Sequence, residues 1–352
     1  QICTAICEAD RRKEDARLAV GSGCEGKTTF NRRFRMKNGR SYTHPGKGNP
    51  DIVEPAGPID PEVGVIAAWG SRGDLLGCIV NFACHGTTFG GGVSADWIGY
   101  LDSTIKGAMG KDAGVVFLNG ACGDVTQVDN QSLREPEFGE KWSRLVGTRV
   151  AAEALKVIAS AERGDLKPVV AATTVLRLKR RLPTKTRLDE ARKIVEDGLK
   201  IGETGTTAWT FAKELVILDW LAAQEPEVEV EVQAIQVGPA VLLANPAEFF
   251  CQLGLDIKQG SQFPFTYVVE LANGAVGYTP TEEAFSPSGG GYETVLTSYS
   301  TLETTAGRKI AEASLALAAK LAPGAVPEGA QVQAASGLSS DEWDYGVLGP
   351  DA

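Results

Sequence analysis

Residues 63–88 read VGVIAAWGSRGDLLGCIVNFACHGTT, and this stretch decides the expected fold. Two apolar runs, 63–69 and 75–83, flank a polar turn at 71–74 that contains a glycine. Short apolar runs on both sides of such a turn predict a β-hairpin. The second run ends just before His85, so a histidine is expected where the strand leaves the sheet.

Strand and helix patterns alternate along the rest of the chain, and no internal repeat is visible. Apolar runs predict strands at 16–22, 114–118, 169–178, 228–232, 240–244 and 266–271. Helical patterns occur at 96–109, 138–161, 188–200, 206–223 and 304–321, with another helix between the last two strands. The alternation favours an α/β fold in which mixed sheets are layered and flanked by helices.

No strong domain boundary interrupts this pattern. We expect one α/β domain over residues 1–321, with a helical insertion at about 186–224 and a loop-rich tail at 322–352. A basic loop rich in glycine and proline is expected at 23–61. The run GVVFL at 114–118 is expected to form a central strand that is buried on both faces.

The 352 residues, 43% hydrophobic and 23% charged, have the composition of a soluble globular protein with a sizeable core. A formal net charge of −10 argues against a dedicated nucleic-acid binder. No apolar run reaches about 18 residues, so no transmembrane segment is expected. The seven cysteines are scattered without a Cys-x-x-Cys pair, which argues against a disulfide framework and a thiolate zinc site. The cellular compartment stays open.

Four loops that follow predicted strands are rich in small and polar residues. They contain His85, the segment NGACGDVT at 119–126, Glu248 and Tyr278. The chain has only two histidines, at positions 44 and 85, which limits the available mechanisms. Each of the four positions alone is compatible with a capped turn or a buried structural residue. Together they predict an active site along one rim of the sheet.

The motifs in and around these loops occur in the order NFACHG, SADWIGYL, FLNGACGDVT, NPAEFF, ELANGAVGYTPTEEA and GGGYE. In this order they resemble the neutral/alkaline, non-lysosomal ceramidase family, and in particular its bacterial ceramidase-like members. The resemblance covers roughly residues 1–320 and implies a ceramidase-like α/β hydrolytic domain. It also implies a zinc cofactor, which the family holds through two histidines, a glutamate and a tyrosine. By motif position, His85 corresponds to the second histidine, Glu248 to the glutamate and Tyr278 to the tyrosine.

The resemblance also implies the catalytic and substrate-binding positions. The family's serine in Gly-Asp-Val-Ser is replaced here by Thr126, whose extra methyl group restricts its rotamers and crowds an attack. The expected nucleophile is a metal-activated water or Thr126, with Asp124 organising the loop. Asn31, Arg32 and Gly123 are expected to bind the substrate, the first two through a polar or anionic head group.

The chain departs from the family pattern at both ends. The family's first metal-binding histidine precedes the helix with which this chain opens, and that helix starts at Gln1 without a capping residue. We expect a separate N-terminal fragment to complete the metal site. The alternative ligand is His44, although its Thr-His-Pro-Gly loop follows a different element. Only about thirty residues follow the last predicted helix, so no immunoglobulin-like C-terminal domain is expected, and a substrate smaller than ceramide is favoured.

These inferences predict a zinc-dependent hydrolase that cleaves an N-acyl amide bond of a small-molecule or lipid-like substrate. The alternative enzyme is a zinc-dependent esterase or peptidase that uses the same residues. The alternative from another class is a catalytically inactive binding or scaffold protein, which the missing histidine and Thr126 favour. A metal-free serine or threonine hydrolase would need a histidine for its triad, and His85 is already assigned.

Overall fold

The computed structural model describes residues 1–89, 92–198 and 207–328. Its α-helices, in chain order, are α1 Ile2–Arg11, α2 Asp96–Met109, α3 Glu140–Ser160, α4 Lys185–Asp197, α5 Thr207–Gln224, α6 Cys251–Gly260 and α7 Ala306–Ala318. Its strands are β1 Ala16–Cys24, β2 Phe30–Asn31, β3 Arg33–Met36, β4 Ser41–Thr43, β5 Ile52–Pro55, β6 Glu62–Gly70, β7 Leu75–Phe82, β8 Gly114–Asn119, β9 Val125–Thr126, β10 Val169–Lys179, β11 Glu227–Val237, β12 Ala240–Ala244, β13 Glu248–Phe249, β14 Phe265–Val269 and β15 Tyr278–Thr279. Two short 3-10 helices cover Glu282–Phe285 and Tyr292–Thr294. None of the described helices combines the length and the apolar character needed to cross a bilayer.

Two four-stranded mixed sheets form the centre of the structure and have the same plan. The first has the strand order β1-β6-β7-β8, and the second has the order β10-β11-β12-β14. In each sheet the first three strands are antiparallel, and the fourth lies parallel to the third. The predicted hairpin is formed by β6 and β7, with Gly64 opposite Asn81. The architecture confirms the predicted α/β fold with mixed sheets.

The two sheets pack face to face between two pairs of helices. Helices α2 and α3 cover the outer face of the first sheet, where Val65 is buried. Helices α6 and α7 cover the outer face of the second sheet, where Val232 and Ile310 are buried. A third apolar cluster, which includes Ile66 and Leu242, lies between the sheets. Apolar residues on both faces of each sheet are therefore removed from water, which is the main stabilising contribution.

Alternation along the strands assigns each side chain to one of these layers. Along β11, Val232 faces the helices and Ile235 faces the first sheet. The sheets approach each other closely at Gly64, where a Cβ atom would lie 2.2 Å from the ring of Tyr267. The Tyr267 hydroxyl donates a 2.8 Å hydrogen bond to the carbonyl oxygen of Gly21, so one side chain joins the two sheets.

Two sequence predictions about strands are wrong. The run GVVFL belongs to β8, which is an edge strand of the first sheet, and Val116 within it is 52% exposed. Strand order depends on distant partners, and an apolar run is compatible with an edge as well as a centre. The segment 23–61 is also not a loop throughout, because β3, β4 and β5 form a small sheet and β2 pairs with β9. Strands of two to four residues are too short to show an alternating pattern.

Helices α4 and α5 pack against each other through a small apolar cluster that contains Ala191, Leu215 and Leu218. They occupy the region of the predicted helical insertion, although residues 199–206 between them lie outside the described residues. The predicted C-terminal tail also lies outside the described residues beyond position 328.

Candidate active site

Four chain segments that leave the two sheets meet at one place. Strands β7 and β8 are parallel, as are β12 and β14, so each pair ends at one edge of its sheet. Two short ladders join the segments that follow. Pairing of β13 with β15 places Glu248 opposite Tyr278, and pairing of β2 with β9 places Phe30 opposite Thr126. The predicted site residues are thereby collected from loops that are far apart in sequence.

The three predicted metal ligands, His85, Glu248 and Tyr278, lie together. Nε2 of His85 is 3.4 Å from Oε2 of Glu248 and 3.5 Å from the hydroxyl oxygen of Tyr278. The rings of His85 and Tyr278 are nearly parallel, at an angle of 11°. The side chains of His85 and Glu248 are 13% and 23% exposed, so the cluster opens to solvent.

The carbonyl oxygen of Val125 fixes the His85 ring. It lies 3.1 Å from Nδ1 of His85 and also accepts the backbone N–H of that residue at 3.1 Å. Because a carbonyl only accepts, Nδ1 carries a proton, and in this tautomer Nε2 has the lone pair. Nε1 of Trp97 donates to the carbonyl oxygen of His85 at 3.0 Å, which ties the loop to α2. The free electron pair of His85 is therefore on the side of Glu248 and Tyr278.

The environment shifts the pKa values of Glu248 and Tyr278 in opposite directions. Burial by itself raises the pKa of Glu248, but the Tyr278 hydroxyl and the positive charge of Arg32 oppose this effect, and the pKa lies below its ordinary value. Burial raises the pKa of Tyr278, and the guanidinium of Arg32 offsets only part of this effect. Cζ of Arg32 lies 5.3 Å from the centroid of the Tyr278 ring. By itself, the protein thus presents a carboxylate beside a neutral phenol.

A buried ion cluster supports the Tyr278 side of the site. Nε of Arg32 lies 2.6 Å from Oε1 of Glu293, and the same guanidinium donates to the carbonyl oxygen of Gly123 at 2.8 Å. Glu293 is 0% exposed, and its other carboxylate oxygen accepts from Thr43 at 2.6 Å. Arg32 is thus held by contacts inside the protein, and its role in substrate binding stays a prediction.

Asp124 and Asn31 hold the loop after β8 in place. The Asp124 carboxylate is buried and accepts from Nδ2 of Asn31 and from the backbone nitrogen of Cys251, both at 2.8 Å. Burial raises the pKa of Asp124, although these hydrogen bonds oppose the effect. Such contacts are those of a residue that organises a loop. Direct catalysis by Asp124 and substrate contact by Asn31 stay predictions.

Gly123 and Thr126 lie on either side of the same turn. The backbone nitrogen of Gly123 donates to the carbonyl oxygen of Phe249 at 2.8 Å. A Cβ atom on Gly123 would lie 2.5 Å from the carbonyl oxygen of Glu248, so glycine permits the approach of the loop to β13. Thr126 is 1% exposed, and its Oγ1 accepts from the backbone nitrogen of Val128 at 3.2 Å. Both residues adjoin the cluster, but their predicted roles have no direct test in these contacts.

Glu270 is a site residue that sequence reasoning missed. It is 4% exposed and lies between the loop after β8 and strand β13. Its Oε2 accepts from the backbone nitrogens of Cys122 at 3.0 Å and Phe249 at 2.9 Å, and its Oε1 lies 2.9 Å from Sγ of Cys122. Burial raises the pKa of Glu270 to about 7. A glutamate at the end of an otherwise apolar run is the sequence signal that would have found it.

His44 approaches the site through other contacts. Its backbone nitrogen donates to the carbonyl oxygen of Arg32 at 2.8 Å, and its Nδ1 lies 3.1 Å from Nδ2 of Asn130. Across the described parts of the chain, its hydrogen bonds do not include the three predicted ligands. Its use as a replacement metal ligand therefore stays a prediction without a supporting contact.

Among residues 1–89, 92–198 and 207–328, no group of three or more histidine, cysteine, aspartate and glutamate side chains is arranged to hold a metal ion. The cluster at the site contains two such side chains, His85 and Glu248, together with a tyrosine. A metal ion at this cluster would therefore need the phenol as its third ligand.

Comparison with solved structures identifies similar folds. Neutral ceramidase from Pseudomonas aeruginosa superposes with a TM-score of 0.62 at 19% identity, over 93% of this chain and 56% of that one. A ceramidase complexed with C2 gives a TM-score of 0.62 at 18% identity, over 91% of this chain and 57% of that one. The chain thus spans little more than half the length of either protein. No protein-family model and no curated protein matches the sequence. The likeness shows that the chain has a ceramidase-like fold.

Proposed function

We propose that the chain is a hydrolase that cleaves an amide bond with a zinc ion held by His85, Glu248 and Tyr278. The observation that carries the proposal is the convergence of three electron-pair donors at separations of 3.4 and 3.5 Å. Zinc takes nitrogen and oxygen ligands at about 2.0–2.2 Å in tetrahedral sites, which places neighbouring ligand atoms about 3.3–3.6 Å apart. Both separations at the site lie within that range.

The hydrogen-bonding pattern also favours a cation between these groups. With its proton on Nδ1, His85 has a lone pair at Nε2, which faces the acceptor Oε2 of ionised Glu248 at 3.4 Å. Tyr278 has one hydroxyl proton and can satisfy only one of them. A metal ion, or a second proton on His85, removes the repulsion. Imidazole, carboxylate and phenolate oxygen or nitrogen atoms are suitable ligands for zinc.

Zinc bound here would polarise an amide carbonyl and lower the pKa of a water molecule toward 7. Arg32 beside Tyr278 favours the deprotonated phenol that a ligand requires. We assign the attack to water rather than to Thr126, because Thr126 is 1% exposed whereas the His85–Glu248 pair opens to solvent. In this proposal Asp124 keeps the loop in position and does not react.

The comparisons support the choice of an amide as substrate. Both similar structures are ceramidases by name, and amide hydrolysis is carried over from them on the strength of the shared fold. Together with the motif order, the fold also supports membership of the neutral/alkaline ceramidase family. We propose an N-acyl amide smaller than ceramide, since the sequence has no long apolar stripe for a lipid. A separate N-terminal segment would supply the further histidine that the family resemblance implies.

The test combines metal analysis with hydrolysis. The purified protein is stripped with a chelator, reloaded with zinc and assayed against a panel of N-acyl amides, with zinc measured by elemental analysis. We expect one zinc per chain, and hydrolysis that disappears on chelation and returns with zinc. The variants His85→Ala, Glu248→Gln and Tyr278→Phe should lose zinc and activity. Glu312→Gln makes the same chemical change as Glu248→Gln, but at an exposed glutamate paired with Arg308, so this control should keep both zinc and activity.

Each alternative function gives a different result in this test. Hydrolysis of esters but not amides would identify the esterase. Stoichiometric zinc without hydrolysis of any substrate would favour the binding or scaffold protein. Hydrolysis that is unaffected by the chelator and by His85→Ala would refute the proposal.

A further inference from the structure

The two histidines of the chain are held in opposite tautomers. At His85 the atom next to Nδ1 is the carbonyl oxygen of Val125, so the proton is on Nδ1. At His44 the atom next to Nδ1 is the side-chain amide nitrogen of Asn130, at 3.1 Å. An amide nitrogen only donates, so Nδ1 of His44 keeps its lone pair and Nε2 carries the proton. One histidine offers an electron pair at Nε2, and the other offers an N–H.

The backbone holds His44 in an unfavourable conformation. Its φ angle of 47° lies in the left-handed region, which residues other than glycine rarely adopt and which is common at functional sites. Two contacts maintain it: the backbone bond to Arg32 and the side-chain bond to Asn130, which is 2% exposed. His44 is an exposed residue, and because its Nδ1 faces the buried Asn130, Nε2 is the ring nitrogen that can meet a ligand.

His44 belongs to the same site as the proposed ligands. Arg32, whose carbonyl oxygen it binds, stacks its guanidinium on Tyr278 at 5.3 Å. His44 also lies within electrostatic range of Glu293 and His85. Burial, with a contribution from the positive charge of Arg32, holds the pKa of His44 below 6.5, so the ring is neutral at neutral pH. A neutral ring with its proton on the exposed nitrogen is a hydrogen-bond donor.

We infer that His44 is a substrate-binding residue whose Nε2–H donates a hydrogen bond to an oxygen acceptor near the scissile amide. The inference rests on the proposed hydrolase function and adds a residue that selects among its substrates. Among N-acyl amides, His44 would favour those with a hydroxyl or carboxylate oxygen within a few bonds of the amide. An analogue without that oxygen leaves the N–H of His44 without a partner and binds less well.

The tautomers are tested without any assay of activity. Protein labelled with ¹⁵N-histidine gives two imidazole signals, and His44→Asn identifies one of them. This variant keeps the backbone conformation, since asparagine readily adopts the left-handed region. Long-range ¹H–¹⁵N spectra should show the proton on Nε2 of His44 and on Nδ1 of His85. A proton on Nδ1 of His44 would overturn the inference, whether or not the protein is a hydrolase.

Asn130→Asp tests the partner that sets the tautomer. The substitution replaces a donor by a carboxylate that only accepts, so it should move the His44 proton to Nδ1 and raise the pKa of His44. A His44 tautomer that does not change in this variant would contradict the assignment of Asn130 and overturn the inference.

Substrate preference is tested with matched pairs. N-hexanoyl ethanolamine and the propylamide of 2-hydroxyhexanoic acid are each compared with N-hexanoyl propylamine, which lacks the hydroxyl group and is the shared reference of both pairs. The hydroxylated member of at least one pair should have a KM lower by about 3- to 10-fold, the range that a neutral hydrogen bond provides. His44→Asn should abolish the difference, and a preference that survives in this variant would overturn the inference.

A failure of the proposed function gives a separate result. If the zinc-loaded protein hydrolyses none of the three amides, the hydrolase proposal fails. The binding role of His44 is then decided by titration with N-hexanoyl ethanolamine. A shift of the His44 Nε2 signal supports the role, and an unchanged signal overturns it.

Discussion

Replacing Glu270 with glutamine should change how the stability of the protein depends on pH. The ordinary pKa of the carboxyl group is 4.5, and burial raises that of Glu270 to about 7 in the folded protein. Between these values the folded protein holds a proton that the unfolded chain has released. The contribution of Glu270 to the free energy of unfolding is therefore fully present below pH 4.5 and is lost as the pH rises through about 7. A pKa difference of about 2.5 corresponds to a loss of about 3 kcal/mol.

Burial retains this proton against the opposing hydrogen bonds of Cys122 and Phe249, and the contact of Glu270 with Asn119 also favours it. The amide nitrogen of Asn119 is satisfied when it donates to the carbonyl oxygens of Phe82 and Cys84, at 3.1 Å each. The amide atom that lies 3.5 Å from Oε1 of Glu270 is then an oxygen, and two facing oxygens need a proton between them. Glutamine reproduces this arrangement, except that Sγ of Cys122 would face an NH₂ group instead of donating to Oε1. Its oxygen replaces Oε2 as the acceptor of two backbone N–H groups, and its NH₂ group replaces the protonated Oε1.

The assay is urea unfolding of the chelator-treated protein at several values between about pH 4 and pH 8. Over this pH interval the free energy of unfolding should fall by about 3 kcal/mol more for the unmodified protein than for Glu270→Gln. Glu312→Gln serves as the control, because it removes an exposed carboxylate and should follow the unmodified protein. Parallel stability curves for the unmodified protein and Glu270→Gln would refute the reasoning.

Three further predictions concern the ion cluster, the sheet interface and the nucleophile. Arg32→Met removes the 2.6 Å partner of buried Glu293 and leaves it with Arg33 at 3.7 Å, so the free energy of unfolding in urea should fall by about 1.5–3 kcal/mol; a fall below about 1 kcal/mol would contradict the role of the pair. Gly64→Ala places a Cβ atom 2.2 Å from the Tyr267 ring and should lower the free energy of unfolding in urea by about 1–3 kcal/mol. An unchanged free energy of unfolding would mean that the sheets move apart easily. If water is the nucleophile, Thr126→Val should retain zinc-dependent hydrolysis of N-acyl amides, and complete loss with zinc still bound would assign the attack to Thr126.

The sequence predicts those parts of the site that a local pattern encodes. His85, Glu248 and Tyr278 each lie in a polar segment that follows an apolar run, and parallel strands deliver such segments to one edge of a sheet. The positions of these residues therefore follow from strand ends alone. Their roles as zinc ligands do not follow from strand ends, because these roles come from the family resemblance.

Other parts of the site depend on contacts between distant residues. Arg32 and Glu293 are 261 positions apart, and Cys122 and Glu270 are 148 apart, so no local pattern indicates that these charged groups meet. A basic residue in a glycine-rich loop is normally solvated, yet Arg32 is 6% exposed because Glu293 compensates its charge. For the same reason the sequence does not show that β8 is an edge strand, because this depends on whether another strand pairs with its free side.

The common plan of the two sheets explains where the cluster forms. Each sheet has one parallel pair, and only a parallel pair sends two successive loops to the same edge. His85 follows the first sheet, while Glu248 and Tyr278 follow the second, so the 3.4 and 3.5 Å separations are measured across the two sheets. Asn81 bridges them, since its Nδ2 donates at 2.9 Å to a carbonyl of β8 and at 2.9 Å to a carbonyl of β14. The spacing of the proposed ligands is therefore a property of the interface between the sheets rather than of any single loop.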